Sequence, residues 1–276
     1  MAEIFDAHNC ILGEGPLWHP ERGELFWFDI IGKQLRSKAR VWDFEEYVSA
    51  AGWVDRDTLL VASASALFRF DLATGWRQDL VALEADNAVT RSNDGRADPW
   101  GGFWIGTMGV GLEEKAGAIY RYYRGEVTKL YEAITVPNAI CFAPDRNCAY
   151  WTDTFAYRIM RQPLEPEQGW PEGPAEVFID LTESQLKADG AVVDAEGRIW
   201  NAQWGASRVA VYGPDGSFVQ EIDVDGEQSS CPAFGGADLT TLFVTTAAEG
   251  LEGEAEGRTY SVPDAGKGLP EYRVIL

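Results

Sequence analysis

One pattern recurs six times along the chain and constrains its fold more than any other feature. An apolar lead residue is followed by a Pro/Asp or Gly/Asp turn and then by an aromatic or β-branched run. The leads are Trp18, Trp53, Ala97, Phe142, Val193 and Phe234, spaced by 35, 44, 45, 51 and 41 positions, where 276/6 gives 46. Units of that length suit one four-stranded blade each, so the pattern predicts an all-β chain folded as a six-bladed β-propeller, a single domain over residues 1–276. Two stacked sheets are the alternative. Strand-like runs at 24–30, 58–62, 103–107, 119–123, 148–153, 198–203, 208–212 and 241–245 are bounded by Gly, Pro, Asp and Asn. Helical patterning is scarce; only 181–187 is expected to coil, for about two turns.

Charge narrows the partners. With 23 Lys+Arg against 44 Asp+Glu the net charge is −21, which repels nucleic acid and anionic lipid alike. No run approaches the roughly 18 apolar residues of a spanning helix, so no membrane role is expected. The first ten residues lack a basic start and an apolar stretch, which points to a cytoplasmic protein. Cys10, Cys141, Cys148 and Cys231 show no zinc-like pairing and read as reduced, buried thiols. Only His8 and His19 are present, so no multi-imidazole site can be built, and His19 reads as packing.

In a propeller the innermost strands all run along a central channel, and residues at one phase of the repeat converge at one mouth. Glu14, Asn138 and Asp189 each precede their lead by four positions (18 − 14, 142 − 138, 193 − 189), each polar among glycines or apolar neighbours. Two carboxylates and an amide oxygen make a hard-oxygen site for one divalent cation. Ca²⁺ is expected first, with Mg²⁺, Mn²⁺, Zn²⁺ or Fe²⁺ as alternatives. Taken singly, Asp189-Gly190 also reads as a turn, Asn138 as a cap and Glu14 as an ion-pair partner. Asn93 shares the phase (97 − 93), and Arg91, one strand period earlier, faces the same way. The two are expected to hold oxygens of a polar ligand, whereas Asp94 and Gly95 read as part of an Asn-Asp-Gly hairpin. Glu221, Asp223, Asp225 and Gly226 mimic an EF-hand start, but Pro232 stands where the bidentate Glu belongs. Serine-esterase, P-loop and dinucleotide motifs are missing.

Several segments together resemble the senescence marker protein/gluconolactonase/regucalcin-like sugar lactonases across essentially the whole chain. They are GEGPLW at 13–18, RSNDGRADPWGGFWIGTM at 91–108, PNAI at 137–140, YWTDT at 150–154, ADGAVVDAEGRIW at 188–200 and CPAFGGADLTTLFVTT at 231–246. The resemblance implies a six-bladed propeller with one divalent cation held by Glu14, Asn138 and Asp189, and with substrate contacts from Arg91 and Asn93. Two departures are Ala139, where a Gly usually follows the Asn, and Ala188, where a Pro often precedes the Asp. The lid-like loop of the family falls at 108–117 without a clear match.

The expected activity is metal-dependent hydrolysis of an aldonolactone to its aldonic acid, with Asp189 either as general base or as the ligand that positions a metal-bound hydroxide, and with a small-molecule sugar lactone as partner; the oligomeric state is left open. One alternative is ester or phosphotriester hydrolysis on the same metal propeller. Another is a non-enzymatic calcium- or protein-binding propeller, suggested by the single YWTD at 150–153.

Overall fold

A computed structural model describes residues 2–276. Six four-stranded antiparallel sheets surround a channel as the blades of a β-propeller. Blade 1 holds β2 (Gly13–His19), β3 (Glu24–Asp29), β4 (Gln34–Arg36) and β5 (Val41–Asp43), and blade 2 holds β6 (Val48–Asp55), β7 (Thr58–Ser63), β8 (Ala66–Asp71) and β9 (Arg77–Ala82). Blade 3 is β10 (Thr90–Ala97), β11 (Phe103–Gly109), β12 (Gly117–Tyr123) and β13 (Glu126–Ile134). Blade 4 is β14 (Pro137–Phe142), β15 (Cys148–Asp153), β16 (Arg158–Pro163) and β17 (Glu176–Asp180). Blade 5 is β18 (Lys187–Val193), β19 (Ile199–Trp204), β20 (Arg208–Tyr212) and β21 (Phe218–Asp223). Blade 6 is completed from the other end of the chain: β22 (Gln228–Gly235), β23 (Thr241–Ala247) and β24 (Thr259–Val262) pair outward to β1 (Glu3–Asp6). Each innermost strand touches the next, and β22 touches β2, which closes the ring.

The repeat seen in the sequence has a physical origin. Every lead residue lies within two positions of the end of an innermost strand, and in blades 3 and 5 the aspartate directly after it holds the turn. Asp98 Oδ1 accepts from the Trp100 and Gly102 amides, and Asp194 Oδ1 from those of Glu196 and Arg198. A carboxylate thus satisfies amides that the hairpin leaves unpaired. The uneven spacing is also accounted for. Blade 1 is short because β4 and β5 have three residues each, and blade 4 is long because 164–175 separates β16 from β17.

The stretch 181–187 does not coil. Asp180 Oδ1 captures the amide and hydroxyl of Thr182, and Gln185 takes a left-handed φ of 55°, which a helix cannot continue through. The helical segment is instead a single 3₁₀ turn, Thr154–Ala156, capped by Asp153. All four cysteines are free and buried. His19 is buried against Phe26 and Trp53, with Nε2 at 3.1 Å from the Asp55 carbonyl. Among the described residues no helix is long and apolar enough to cross a membrane.

The last residues form a strap across the end of the channel where the innermost strands finish. Gly268 donates to the Leu239 carbonyl, Val274 to Trp53 and Ile275 to Gly101, joining blade 6 to blades 2 and 3. Midway, Glu271 pairs with Arg96 at 2.5 Å, with side chains only 8% and 10% exposed. Arg96 also donates to the carbonyls of Ile140 and Ala191 and so ties blades 3, 4 and 5 together beneath the channel. Removing one partner of such a buried pair leaves the other charge uncompensated. Glu271→Ala is therefore expected to lower the free energy of unfolding by about 3 kcal/mol in urea titrations; a loss below about 0.5 kcal/mol contradicts the strap's role.

Candidate functional site

At the opposite end of the channel, where the innermost strands begin, each of those strands carries a break in register. The breaks fall at Glu14/Leu17, Val48/Ala50, Ser92/Gly95, Asn138/Cys141, Ala188/Ala191 and Ser229/Cys231. A bulge leaves ladder groups unpaired and re-aims side chains, here toward the axis. Two of the bulges need left-handed backbone: Gly15 has φ 52° and Ala139 φ 55°. Glycine accepts that conformation freely, while at Ala139 the alanine bears the strain. At a third, Gly190 packs so closely that a Cβ there would lie 2.3 Å from the Cys231 sulfur.

The bulges bring Glu14, Asn93, Asn138 and Asp189 into one pocket of about 170 Å³, together with Arg91. All five are between 3% and 7% exposed. The volume lies below the roughly 300–1,000 Å³ of drug-sized sites and suits a small molecule. The same phase in blades 2 and 6 is occupied by Ser49 and Ser230, which the sequence reading passed over. They are fully buried: Ser49 donates to Ser92 Oγ, and Ser230 donates to the Gly13 carbonyl, anchoring the strand that carries Glu14.

A chain of hydrogen bonds crosses three blades. Arg91 Nη1 donates to Asn93 Oδ1, Asn93 Nδ2 to Asn138 Oδ1, and Asn138 Nδ2 to Thr154 Oγ1, each at 2.9 Å; Thr154 then donates to the Ala188 carbonyl at 2.8 Å. The chain fixes which end of the Asn138 amide is oxygen. Asn93, expected as a ligand contact, is committed on both ends of its amide, with Nδ2 also donating to the Pro137 carbonyl. Asn201 Nδ2 holds the carbonyls of Asp189 and Gly190 and so sets the bulge of β18.

Charge in the pocket is poorly balanced by the protein. Burial first holds both the Glu14 and Asp189 carboxyls well above the usual carboxylate range; repulsion from Asp94 adds to it at Glu14, and repulsion from Glu14 and then Asp94 at Asp189. Opposing this are the following residue's amide at each carboxylate and the Arg91 guanidinium. Two buried acids sharing one partly offsetting cation, beside an amide oxygen, fit a hard divalent ion. Thiolate ligation does not fit, because burial and the same acids hold the Cys231 thiol far up.

Asp94 and Gly95 are not a hairpin turn. They sit inside β10, where Gly95 lets the bulge pass the Trp104 carbonyl and Asp94 Oδ2 accepts from the Ile140 amide at 2.8 Å. Burial raises the Asp94 carboxyl to about 6. Sequence reasoning also missed the upper wall. Leu12, Val136 and Lys187 line the pocket with Arg91, and each precedes its lead by six (18 − 12, 142 − 136, 193 − 187, 97 − 91). That shared offset was a usable signal. Met108, Leu112, Thr154, Phe155, Trp204 and Glu249 complete the lining, so the 108–117 loop reaches the mouth through Met108 and Leu112. Asp153 of the YWTD segment is structural, accepting from the amides of Thr135, Val136 and Phe155.

A separate cluster of possible ligands, His8, Cys10 and Asp29, has donor atoms within 4.8 Å of one another. Asp29 is consumed by the amides of Ile11, Leu12 and Gly32, and burial pushes the Cys10 thiol up to about 12, so that cluster does not fit an ion.

Residues 12–248 match the family described as the SMP-30/Gluconolactonase/LRE-like region. The chain belongs to this family. A Rhizobium meliloti protein named provisionally as a sugar lactone lactonase is 42% identical over 262 residues, 93% of this chain and 88% of that one. An L-arabinolactonase of Azospirillum brasilense is 35% identical over 91% of this chain and 86% of its own length. Among solved structures, a calcium-binding protein, regucalcin, from Agrobacterium tumefaciens is 40% identical with a TM-score of 0.96, covering 100% of this chain and 98% of that one.

Within this SMP-30/gluconolactonase chain, Thr154 is the joint between Asn138 and the Asp189 strand. Thr154→Val strands Asn138 Nδ2 and the Ala188 carbonyl and is expected to cost about 1–3 kcal/mol in thermal or urea unfolding, with Thr154→Ser recovering most of it. Equal stability of the Val variant and the parent contradicts the hydrogen-bond chain.

Proposed function

We propose that this protein is a divalent-metal-dependent hydrolase that opens a sugar lactone to its aldonic acid. The observation that carries the reading is the convergence of Glu14, Asn138 and Asp189 in one buried pocket of small-molecule size. The lactonase names of relatives, among them the L-arabinolactonase above and a pentonolactonase of Haloferax volcanii 33% identical over 96% of this chain, support the substrate class. The unit proposed to carry the activity is the chain 1–276 acting as one domain, since the pocket draws on blades 1, 3, 4 and 5.

Glu14, Asn138 and Asp189 would hold the ion, Ca²⁺ first on the evidence of an all-oxygen donor set. When bound, the ion polarises the lactone carbonyl and eases ionisation of water. Arg91 is positioned by the Ser92 carbonyl and Asn93 Oδ1, both on Nη1, which leaves Nε and Nη2 free to donate to lactone oxygens. Leu12, Val136, Met108 and Trp204 shield the reacting face from bulk water. Asp189 acts as general base: its carboxylate takes a proton from the attacking water as the water oxygen bonds to the carbonyl carbon. The ring C–O bond then breaks, and the ring oxygen takes the proton held by Asp189 to become the hydroxyl of the open-chain acid, which returns Asp189 to its carboxylate form.

Asp189→Ala is expected to reduce lactone hydrolysis, followed by acid release, by at least about a thousandfold while leaving the β circular-dichroism spectrum intact. Retention of full activity rejects the scheme. The same assay run on a phosphotriester, with and without chelator, separates the lactonase from the alternative hydrolase.

A further inference from the structure

Lys187 has no part in the scheme above, yet it opens the strand that carries Asp189. The turn at 181–186, bent by the left-handed Gln185, delivers Lys187 as the first residue of β18. Lys187 stands two positions before Asp189, with its backbone roughly 7 Å closer to the mouth. Its side chain lines the pocket, and its ammonium rides over the Phe155 ring at 5.8 Å from the centroid. In a chain with 44 acidic residues against 23 basic ones, Lys187 pairs with no carboxylate and makes no side-chain hydrogen bond among the described residues. Arg91 occupies the same tier two blades away, across β14, six positions before its lead, as Lys187 is before its own. Glu249 is the one carboxylate lining the pocket besides the two at its floor.

We infer that Lys187 selects the end of the substrate farthest from the reacting carbonyl, and that the preferred lactone carries an anionic substituent there, such as a phosphate or sulfonate. The inference rests on the lactonase reading. With the floor acids committed to holding a cation, two cations face one carboxylate on the upper wall, a surplus suited to a negative group. Lys187 lines the pocket on the mouth side of Asp189, so a lactone substituent that extends from the reacting ring toward the mouth would meet its ammonium. Phe155 keeps the ammonium over the mouth and away from the exterior, where the remaining acidic surface would compete for it. Lys187 is a specificity-determining residue and not a catalytic one: it touches a part of the substrate where no bond changes.

The test compares kcat/KM for glucono-1,5-lactone and for its 6-phosphate, in the intact protein with divalent cation and in the Lys187→Met and Lys187→Arg variants. The parent is expected to favour the phosphorylated lactone. Lys187→Met is expected to shift the ratio of the two kcat/KM values toward the neutral lactone by about tenfold, mostly through KM, with Lys187→Arg keeping most of the preference. Calorimetric binding of 6-phosphogluconate, weakened about tenfold in the Met variant, gives a second readout that needs no turnover. Hydrolysis of both lactones with a ratio that Lys187→Met leaves in place overturns the inference and leaves the lactonase reading standing. Hydrolysis of neither lactone, with or without the mutation, overturns the lactonase reading and this inference with it.

Discussion

Two carboxylates buried side by side at one end of a channel set the terms for the rest of this structure. Glu14 and Asp189 are almost wholly removed from water, burial raises the proton affinity of both and Glu14 raises that of Asp189 further, an arrangement that a fold tolerates only when something positive comes to meet it. The chain supplies one guanidinium, Arg91, and ties it down through Asn93. That leaves the pair short of compensation. The polar apparatus around it serves to hold oxygens fixed in that state of tension: Thr154 on the Asn138 amide, Asn201 behind Asp189, Ser230 behind the strand of Glu14.

The propeller makes this possible because its innermost strands run side by side in one direction and pass the axis at the same height. A regular strand would point alternate residues at the channel and hydrogen-bond the others into the blade. The bulge near the start of each strand breaks that alternation, and four of the residues at that phase, Glu14, Asn93, Asn138 and Asp189, line one pocket, while Ser49 and Ser230 are buried in hydrogen bonds to the adjacent innermost strands. At the other end, Arg96 and Glu271 close the channel by an ion pair that satisfies itself. The Arg96–Glu271 cluster is thus complete in itself, whereas the Glu14–Asp189 cluster is not, and the incomplete one lines the pocket that gathers Arg91, Asn93 and Asn138.

Much of this was legible in the sequence because the repeat is a physical unit. The lead residues mark strand ends, and in blades 3 and 5 the aspartate after the lead holds hairpin amides, so both the blade count and the phase of Glu14, Asn138 and Asp189 could be read directly. What escaped notice had no local signature or a misleading one. Ser49 and Ser230 share the phase but are small and chemically bland. Asp94-Gly95 has the letters of a turn, and only the packing of Gly95 against β11 shows it to be a strand bulge. The polar-apolar rhythm of 181–187 imitates a helix, but the Asp180 cap and the backbone at Gln185 override it. The strap at the C-terminus depends on contacts with blades more than 170 positions away, which no window of sequence reveals.

The most direct measurement of the central claim is thermal unfolding of the chelated protein against pH, repeated with Ca²⁺ titrated in. Carboxyls whose pKa is raised on folding stabilise the protein while protonated. That contribution is complete below the unfolded values of 4.5 for Glu and 3.8 for Asp and is lost as pH rises through the folded values, about 8 for Glu14. The account predicts a melting temperature that falls between about pH 5 and pH 9 without the ion, and recovery at the upper end that saturates at one ion per chain. A melting temperature indifferent to both pH and Ca²⁺ across that range would contradict it.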